Sequence, residues 1–351
     1  MADQVTEPQK RVTLHDVARH VGVHPMTVSH ALKGTGRIAV ETQQRVREAA
    51  RELGYRPNLS ARAVRTGRFN CASLIQPLHS IYLPPGLLLG LAQELHRHDM
   101  HLVISEAPQA ELGEAEFLPQ VVRELAADGL LVNVLGEVTA PFEAALRELN
   151  TPAVWVNTDR PFDCVHPDDR GGARRVTEHL LKLGHRHIAF VQPARRAGEE
   201  SHYSIHDRRA GYEETMRVSR LKPLVFELPP QPTTRAEILA DRRERLAAEL
   251  LSRPQPPTAI VAYEMEVAMP VYHAALRLGL RVPGDLSLAM FHGDLNRHIG
   301  VPVTTAHTHM WQVGREAVQM LMEKIEHPGT PLPSRAVPID LFEGATCGPP
   351  Q

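Results

Sequence analysis

Apolar positions recur at helical spacing near the start of the chain. Leu14, Val17, Ala18 and Val21 fall on one side of a helix, and Thr13 with Asp16 three residues later forms a capping box at its start. Gly22 supplies the left-handed turn that ends it, and Pro25 suits the first position of a second helix. On that helix Val28, Ala31 and Leu32 point inward, which leaves Met26, Thr27, Ser29, His30 and Lys33 outward. A third helix, Val40 to Leu53, packs Val46, Ala49, Ala50 and Leu53 beneath the pair and ends at Gly54. Helix, tight turn and helix is the plan that lays its second helix in a DNA major groove.

Beyond Arg68 the period changes. Short apolar runs alternate with amphipathic stretches: CASLIQP, GLLLGLAQELHRH, MHLVISEA, FLPQVVRELAADG and LLVNVL, then PAVWVNT, ARRVTEHLLKLGH, RHIAFVQP, TAIVAYE, VYHAALRLGL and LSLAMFHG. This is the βαβα signature of parallel sheets covered on both faces, and its length predicts two doubly wound lobes with a ligand cleft at the carboxyl ends of their strands.

Charge sharpens the division. Residues 1–68 hold 12 Lys and Arg against 6 Asp and Glu, a balance of +6, whereas the remainder holds 27 against 35, a balance of −8. A basic head on an acidic body suits phosphate binding, because neutralised phosphates release counterions while the body is repelled by the duplex. At 351 residues and 42% hydrophobic content the chain can bury a core spread over two or three domains. It has no run near the roughly 18 apolar residues of a membrane span. MADQVTEPQK lacks the apolar stretch of a signal peptide, and Cys71, Cys164 and Cys347 stand far apart without CxxC spacing. No membrane role and a cytoplasmic location are therefore expected.

Catalytic and metal chemistry find no motif. Twenty histidines include the group His96, His98 and His101 and the pair His307 and His309, but neither HExxH nor a cysteine set accompanies them, so no metal is expected. KGTGR lacks the preceding strand of a phosphate loop, and no GxSxG elbow is present. No catalytic residue and no cofactor is assigned.

The stretch VTLHDVARHVGVHPMTVSHAL…GYRPNLSARAVRTGR resembles, without a gap, the head of the lactose and purine repressor (LacI) family of bacterial transcription regulators. EHLLKLGHRHIAFV, DRRAGY, TAIVAYE, GLRVPGDLSLAMF and TTAHTHMWQVGREAV resemble its effector-binding core. The resemblance implies a sequence-specific DNA-binding regulator, a repressor, that binds a palindromic operator as a homodimer under control of a small-molecule effector. It implies a bacterial, cytoplasmic and nucleoid-associated protein. It also implies that Met26 and His30 face base edges and that Thr27 and Ser29 hold phosphates, with Thr13, Pro25, Lys33 and Tyr55 completing the DNA surface. Asn58 to Val64, with Ala61 between them, would form a hinge helix in the minor groove. His30 stands where the family commonly has Arg, so the operator should differ and binding should weaken as pH rises. Val64 replaces the usual Leu wedge, which implies a shallower kink. His24 and Ala39 replace the serine caps of the second and third helices, a loss of about 1 kcal/mol each and hence a marginally stable head.

In the core, Arg208 stands at the family's effector-binding arginine. Leu78 and Ile81, beside Tyr82, replace the Asp and Asn of the opening PD…NPFF segment, Glu264 and Met265 replace an Asn-Asp pair, and His292 replaces an Asp. These exchanges argue against a neutral pyranose, whose hydroxyls need many matched partners, and leave open a charged or less polar metabolite held by Arg208, Glu264 and His292 or a pocket with no effector.

The predicted division is a flexible arm over 1–11, a helix-turn-helix domain over 12–57, a hinge over 58–68, a two-lobed core over 69–345 and a tail over 346–351. The tail FEGATCGPPQ carries no apolar heptads, so a dimer is favoured over a tetramer. A ligand-binding protein without a DNA role would have the core but not the basic head, and an enzyme on the same lobes has no residue set to motivate a substrate.

Overall fold

The computed structural model describes residues 12–55, 68–77, 83–107, 127–134, 150–195, 201–230, 241–293 and 299–351, with 143, 144, 146, 148, 232, 234, 235 and 238. It divides into a head, Met1–Phe69, and a core, Asn70–Gln351. The predicted arm, most of the helix expected near residues 117–129 and most of the hinge fall outside the described residues, while Gly129 at the end of that expected helix opens a strand instead.

The head contains α1 (Leu14–Val21), α2 (Pro25–Lys33) and α3 (Val40–Glu52). The capping box forms as the sequence predicts: Thr13 N–H donates to Asp16 Oδ2 at 2.9 Å, and Asp16 N–H donates back to Thr13 Oγ1 at 3.4 Å. Gly22 takes φ 75°, a left-handed turn that costs glycine little and lets its N–H reach Ala18 O. Val17, Val28, Ala31 and Val46 are fully buried where the three helices meet. Arg45 donates to Val21 O at 3.0 Å and so ties α3 to the carboxyl end of α1.

One expectation fails here. His24 does cap α2, because its Nδ1 accepts the Met26 N–H at 3.2 Å. An imidazole nitrogen bearing a lone pair serves as the acceptor that a serine hydroxyl would otherwise supply. Ala39 makes no side-chain cap on α3, as expected.

The core holds two six-stranded sheets. In chain order the first takes β1 (Cys71–Pro77), β2 (His101–Ala107), β3 (Gly129–Val132), β4 (Ala153–Val156), β5 (Cys164–Pro167) and, much later, β11 (Arg335–Val337). The second takes β6 (Ile188–Pro193), β7 (Leu224–Leu228), β8 (Ala259–Ala262), β9 (Ser287–His292), β10 (Thr304–His307) and β12 (Asp340–Phe342). Their orders are β11-β5-β4-β3-β1-β2 and β12-β10-β9-β8-β6-β7, all parallel except the pairing of β12 with β10. Helices α4 (Pro85–Arg97) and α9 (Met310–Glu326) cover the first sheet, with Leu87, Leu91, Val313 and Leu321 against Leu74 and Leu131. Helices α5 (Asp169–Lys182), α6 (Tyr203–Val218), α7 (Arg243–Leu251) and α8 (Met265–Arg277) belong to the second lobe. β3, β4 and β8 are buried along their whole length, which is why they read as unbroken apolar runs.

Among the described residues the chain passes between lobes three times, from β5 into α5, from β10 into α9 and from β11 into β12. Each passage leaves the carboxyl end of a strand, so the carboxyl ends of both sheets adjoin the opposite lobe. Ligand clefts of doubly wound sheets lie at such ends.

Two helix pairs depend on glycine for close approach. A Cβ on Gly90 of α4 would lie 2.1 Å from Trp311 O, and one on Gly314 of α9 would lie 2.5 Å from Leu87 O. Similarly, a Cβ on Gly211 of α6 would lie 2.3 Å from Arg170 O of α5. Among the described residues no helix is long and apolar enough to cross a membrane.

Candidate functional site

In the head, burial of Val28 and Ala31 fixes the rotation of α2 about its axis and turns the residues between them outward. Met26 is 58% exposed, and Thr27, Ser29 and His30 are half-exposed along the same face, with Lys33 exposed at its end. The His30 ring is held from behind: Nδ1 lies 3.2 Å from Thr35 Oγ1, and the ring packs at 3.4 Å from where a Cβ on Gly36 would stand. That arrangement leaves Nε2 to meet an outside partner. Thr13 is exposed, but its hydroxyl and N–H are both engaged with Asp16. Pro25 opens α2, and Tyr55 packs half-buried against the head core. Asn58, Ala61 and Val64 lie outside the described residues.

In the core, Arg208 projects from α6 and is only 8% exposed. Its Nε donates to Asp169 Oδ1 at 2.6 Å and its Nη1 to Tyr263 O at 2.6 Å. The guanidinium lies between the rings of Tyr263 and Phe291, 4.5 Å and 4.3 Å from their centroids. Tyr203 donates its hydroxyl to the other Asp169 oxygen at 2.9 Å. Burial opposes the charge on Arg208, yet Asp169, with Tyr263 and Glu264, more than offsets it and the guanidinium is held protonated. Burial and then the same carboxylate push the Tyr203 phenol well above its ordinary range.

A second chain of hydrogen bonds continues from this pair toward the first lobe. Ser204 Oγ lies 2.8 Å from Tyr263 Oη and 2.6 Å from His202 Nδ1, while His202 Nε2 lies 2.9 Å from Asn157 O. Burial pushes His202 down to about 4, only partly countered by the Asp169 charge, so the ring is neutral. A carbonyl cannot donate, so Nε2 carries the proton and Nδ1 accepts from Ser204. The order of donation is then Tyr263 to Ser204 to His202 to Asn157, and its last step joins the two lobes.

Glu264 and His292, at the carboxyl ends of β8 and β9, line a cavity of about 600 Å³ with Asp241, Arg243, Glu244 and Met269. The structure thus brings Glu264 and His292 together and places Arg208 beside them in an internal ion pair. Leu78, Ile81 and Tyr82 lie outside the described residues. Sequence reasoning missed Asp169, His202, Ser204 and Tyr263. One signal was available: Ser204 precedes Arg208 by four residues, so both occupy one face of a helix. Among the described residues no group of three His, Cys, Asp or Glu is placed to hold a metal. His307 and His309 do meet, with ring centroids 4.2 Å apart, but His309 is turned to Asp340 at 3.0 Å.

A helix-turn-helix head on a two-lobed parallel-sheet core defines the class of DNA-binding transcription regulators controlled through a periplasmic-binding-protein-like module. A model described as bacterial regulatory proteins, lacI family, matches residues 13–58, and a periplasmic binding protein-like domain matches residues 177–347. The chain belongs to the lacI family. It is 28% identical over 336 residues to the HTH-type transcriptional repressor CytR of Escherichia coli (strain K12), covering 94% of each chain. To the HTH-type transcriptional regulator AglR of Rhizobium meliloti (strain 1021) it is 29% identical over 363 residues, covering 96% of this chain and 95% of that one. The crystal structure of the Lac repressor dimer bound to operator and the anti-inducer ONPF matches the fold with a TM-score of 0.76 at 20% identity, covering 96% of this chain and 99% of that one.

Proposed function

We propose that the protein is a repressor that binds a palindromic operator as a homodimer and is tuned by a small molecule held between its core lobes. The outward face of α2 carries this reading: Met26 and the Nε2 edge of His30 stand free of the head core, on a segment with a net charge of +6. Thr27, Ser29, Lys33 and Tyr55 serve phosphates, and Asn58, Ala61 and Val64 the minor groove at the operator centre. Such a protein works at the nucleoid in the cytoplasm. CytR is by name a repressor, and the Lac repressor structure is a dimer on operator, which supports repression and the dimeric state.

The effector is held at the carboxyl ends of the strands, by Glu264 and His292 and by the segment containing Leu78, Ile81 and Tyr82. Arg208 contributes through the Asp169 pair rather than as an open clamp, because Nε and Nη1 already have partners. The occupied arginine also supports a second reading, in which the regulator represses without a small effector. Genome-wide mapping of bound sites tests the main proposal. A shared palindrome is the expected result, whereas binding no tighter than to random duplex at physiological salt would defeat it.

A further inference from the structure

The second sheet ends at β7, and a cavity lies where the carboxyl ends of β6 and β7 meet the first turns of α6. It measures about 280 Å³, shares no lining residue with the 600 Å³ cavity, and suits a small metabolite. β6 brings Gln192 to its wall, and β7 brings Glu227 in register with that glutamine. Arg195 follows two residues beyond β6, and α6 adds Arg209.

Two opposite charges face this cavity without meeting. Gln192 Nε2 donates to Glu227 Oε1 at 2.9 Å, and since a carboxylate can only accept, the contact fixes which end of the amide it meets. Among the described residues this neutral amide is the only partner of Glu227, so its charge is met by no cation. Arg195 has neither a hydrogen bond nor an ion pair among the described residues. Arg209 gives its Nε to Glu213, which Arg217 shares, and both its Nη groups are without a partner among the described residues.

Gln192 itself is 4% exposed, and its amide oxygen accepts no hydrogen bond. An acceptor withdrawn from water without a donor destabilises the fold, and native proteins rarely keep one without a use. The strand side of the cavity thus offers acceptors, Glu227 and Gln192, while the loop and helix side offers donors, Arg195 and Arg209.

That division selects the ligand. A simple anion would suit the arginines but meet Glu227, and a simple cation would suit Glu227 but meet the arginines. A neutral polyol would leave both charges uncompensated. An ammonium and a carboxylate on one molecule answer both walls, with charge-assisted hydrogen bonds at each end. We propose that this cavity is a second small-molecule site, separate from the one lined by Glu264 and His292, and that it takes a zwitterionic amino acid. Glu227 and the Gln192 oxygen receive the ammonium, Arg195 and Arg209 receive the carboxylate, and Pro193 and Ile205 pack against the carbon chain between them.

Calorimetry on the full chain tests this with a panel of α- and ω-amino acids running from glycine to 6-aminohexanoate, beside butanoate, butylammonium and butane-1,4-diol. At least one amino acid should bind about tenfold or more tighter than each of those three compounds. Arg195→Gln and Glu227→Gln should each weaken it about fivefold or more without lowering the melting temperature of the ligand-free protein, because both side chains are exposed and neither anchors the fold. Glu264→Gln, in the other cavity, should leave that affinity unchanged. Butanoate, butylammonium or the diol binding as tightly as any amino acid overturns the ligand class, and failure of every amino acid to bind overturns the site. Binding that withstands both Arg195→Gln and Glu227→Gln overturns it too, and its loss with Glu264→Gln would place the amino acid in the other cavity instead.

Discussion

Arg208 and Asp169 form a buried ion pair at 9% and 1% side-chain exposure, and such pairs resist the loss of one partner far more than the loss of both. Arg208→Met leaves the Asp169 carboxylate buried beside Tyr203, and Asp169→Asn leaves the guanidinium uncompensated. Each single change is expected to cost about 3–5 kcal/mol, and the double change well under their sum. Both tryptophans, Trp155 and Trp311, lie in the core, so urea unfolding followed by their fluorescence reads this cycle. Additive losses would show that the pair is not the unit described. His202 makes a separate prediction in pH. Its folded value near 4 lies below its ordinary 6.5, so as pH falls through 6.5 the unfolded chain takes up a proton that the folded chain refuses. The stabilisation is complete above about 6.5 and is lost progressively down to about 4, a total of roughly 3 kcal/mol at 1.36 kcal/mol per unit. His202→Gln keeps a donor for Asn157 O without the titration. The difference in unfolding free energy between pH 7.5 and 4.5, from urea titrations, should therefore shrink by roughly 2.5 kcal/mol relative to the unchanged protein.

At the scale of elements, caps and crossings decide local stability. Ala39 already has the extended backbone of a cap residue, φ −56° and ψ 139°, without a side chain to accept a hydrogen bond. Ala39→Ser should stabilise α3 by about 1 kcal/mol, read as slower amide hydrogen exchange in that helix; unchanged exchange would mean that fraying there does not limit opening. Gly90 on α4 behaves oppositely. Replacing a helical glycine by alanine ordinarily gains up to about 1 kcal/mol, but here the new methyl meets the Trp311 carbonyl, so Gly90→Ala should cost about 1–3 kcal/mol through forced separation of α4 and α9. A lower melting temperature in tryptophan fluorescence is the expected result. The elements themselves were largely legible in the sequence, because burial imposes a period. Val17, Val28 and Val46 marked the three head helices, and the runs GLLV, AVWV and AIVA marked β3, β4 and β8. The site was less legible for the converse reason. Asp169, His202 and Tyr263 come from three segments joined only by folding, and a polar residue at a strand or helix end leaves no periodic trace. The His24 cap escaped notice because composition at a cap position does not reveal which ring nitrogen faces the helix.

For the whole molecule, charge is divided so that the head carries +6 and the remainder −8. Attraction to the duplex therefore resides in few residues, and their roles separate by salt dependence. A lysine on a phosphate releases counterions and adds about 0.9 to the magnitude of the slope of log affinity against log salt, whereas a group on a base edge adds sequence preference and no slope. Lys33 at the exposed end of α2 belongs to the first kind and His30 to the second. In a homodimer each substitution is made twice on one operator. Lys33→Ala should thus lower the slope by about 1.8 on a palindromic site and by about 0.9 on an isolated half-site, with affinity falling alike for all sequences. His30→Ala should leave the slope unchanged and relax preference at one base position in each half-site. Binding titrations from 50 to 300 mM salt on both duplexes distinguish these outcomes. An equal change for Lys33→Ala on the two duplexes would contradict the dimer, because one head would then be reading the site. A slope change for His30→Ala would move that ring from the base edges to the phosphates, and operator choice would fall to Met26 and the neighbouring outward residues of α2.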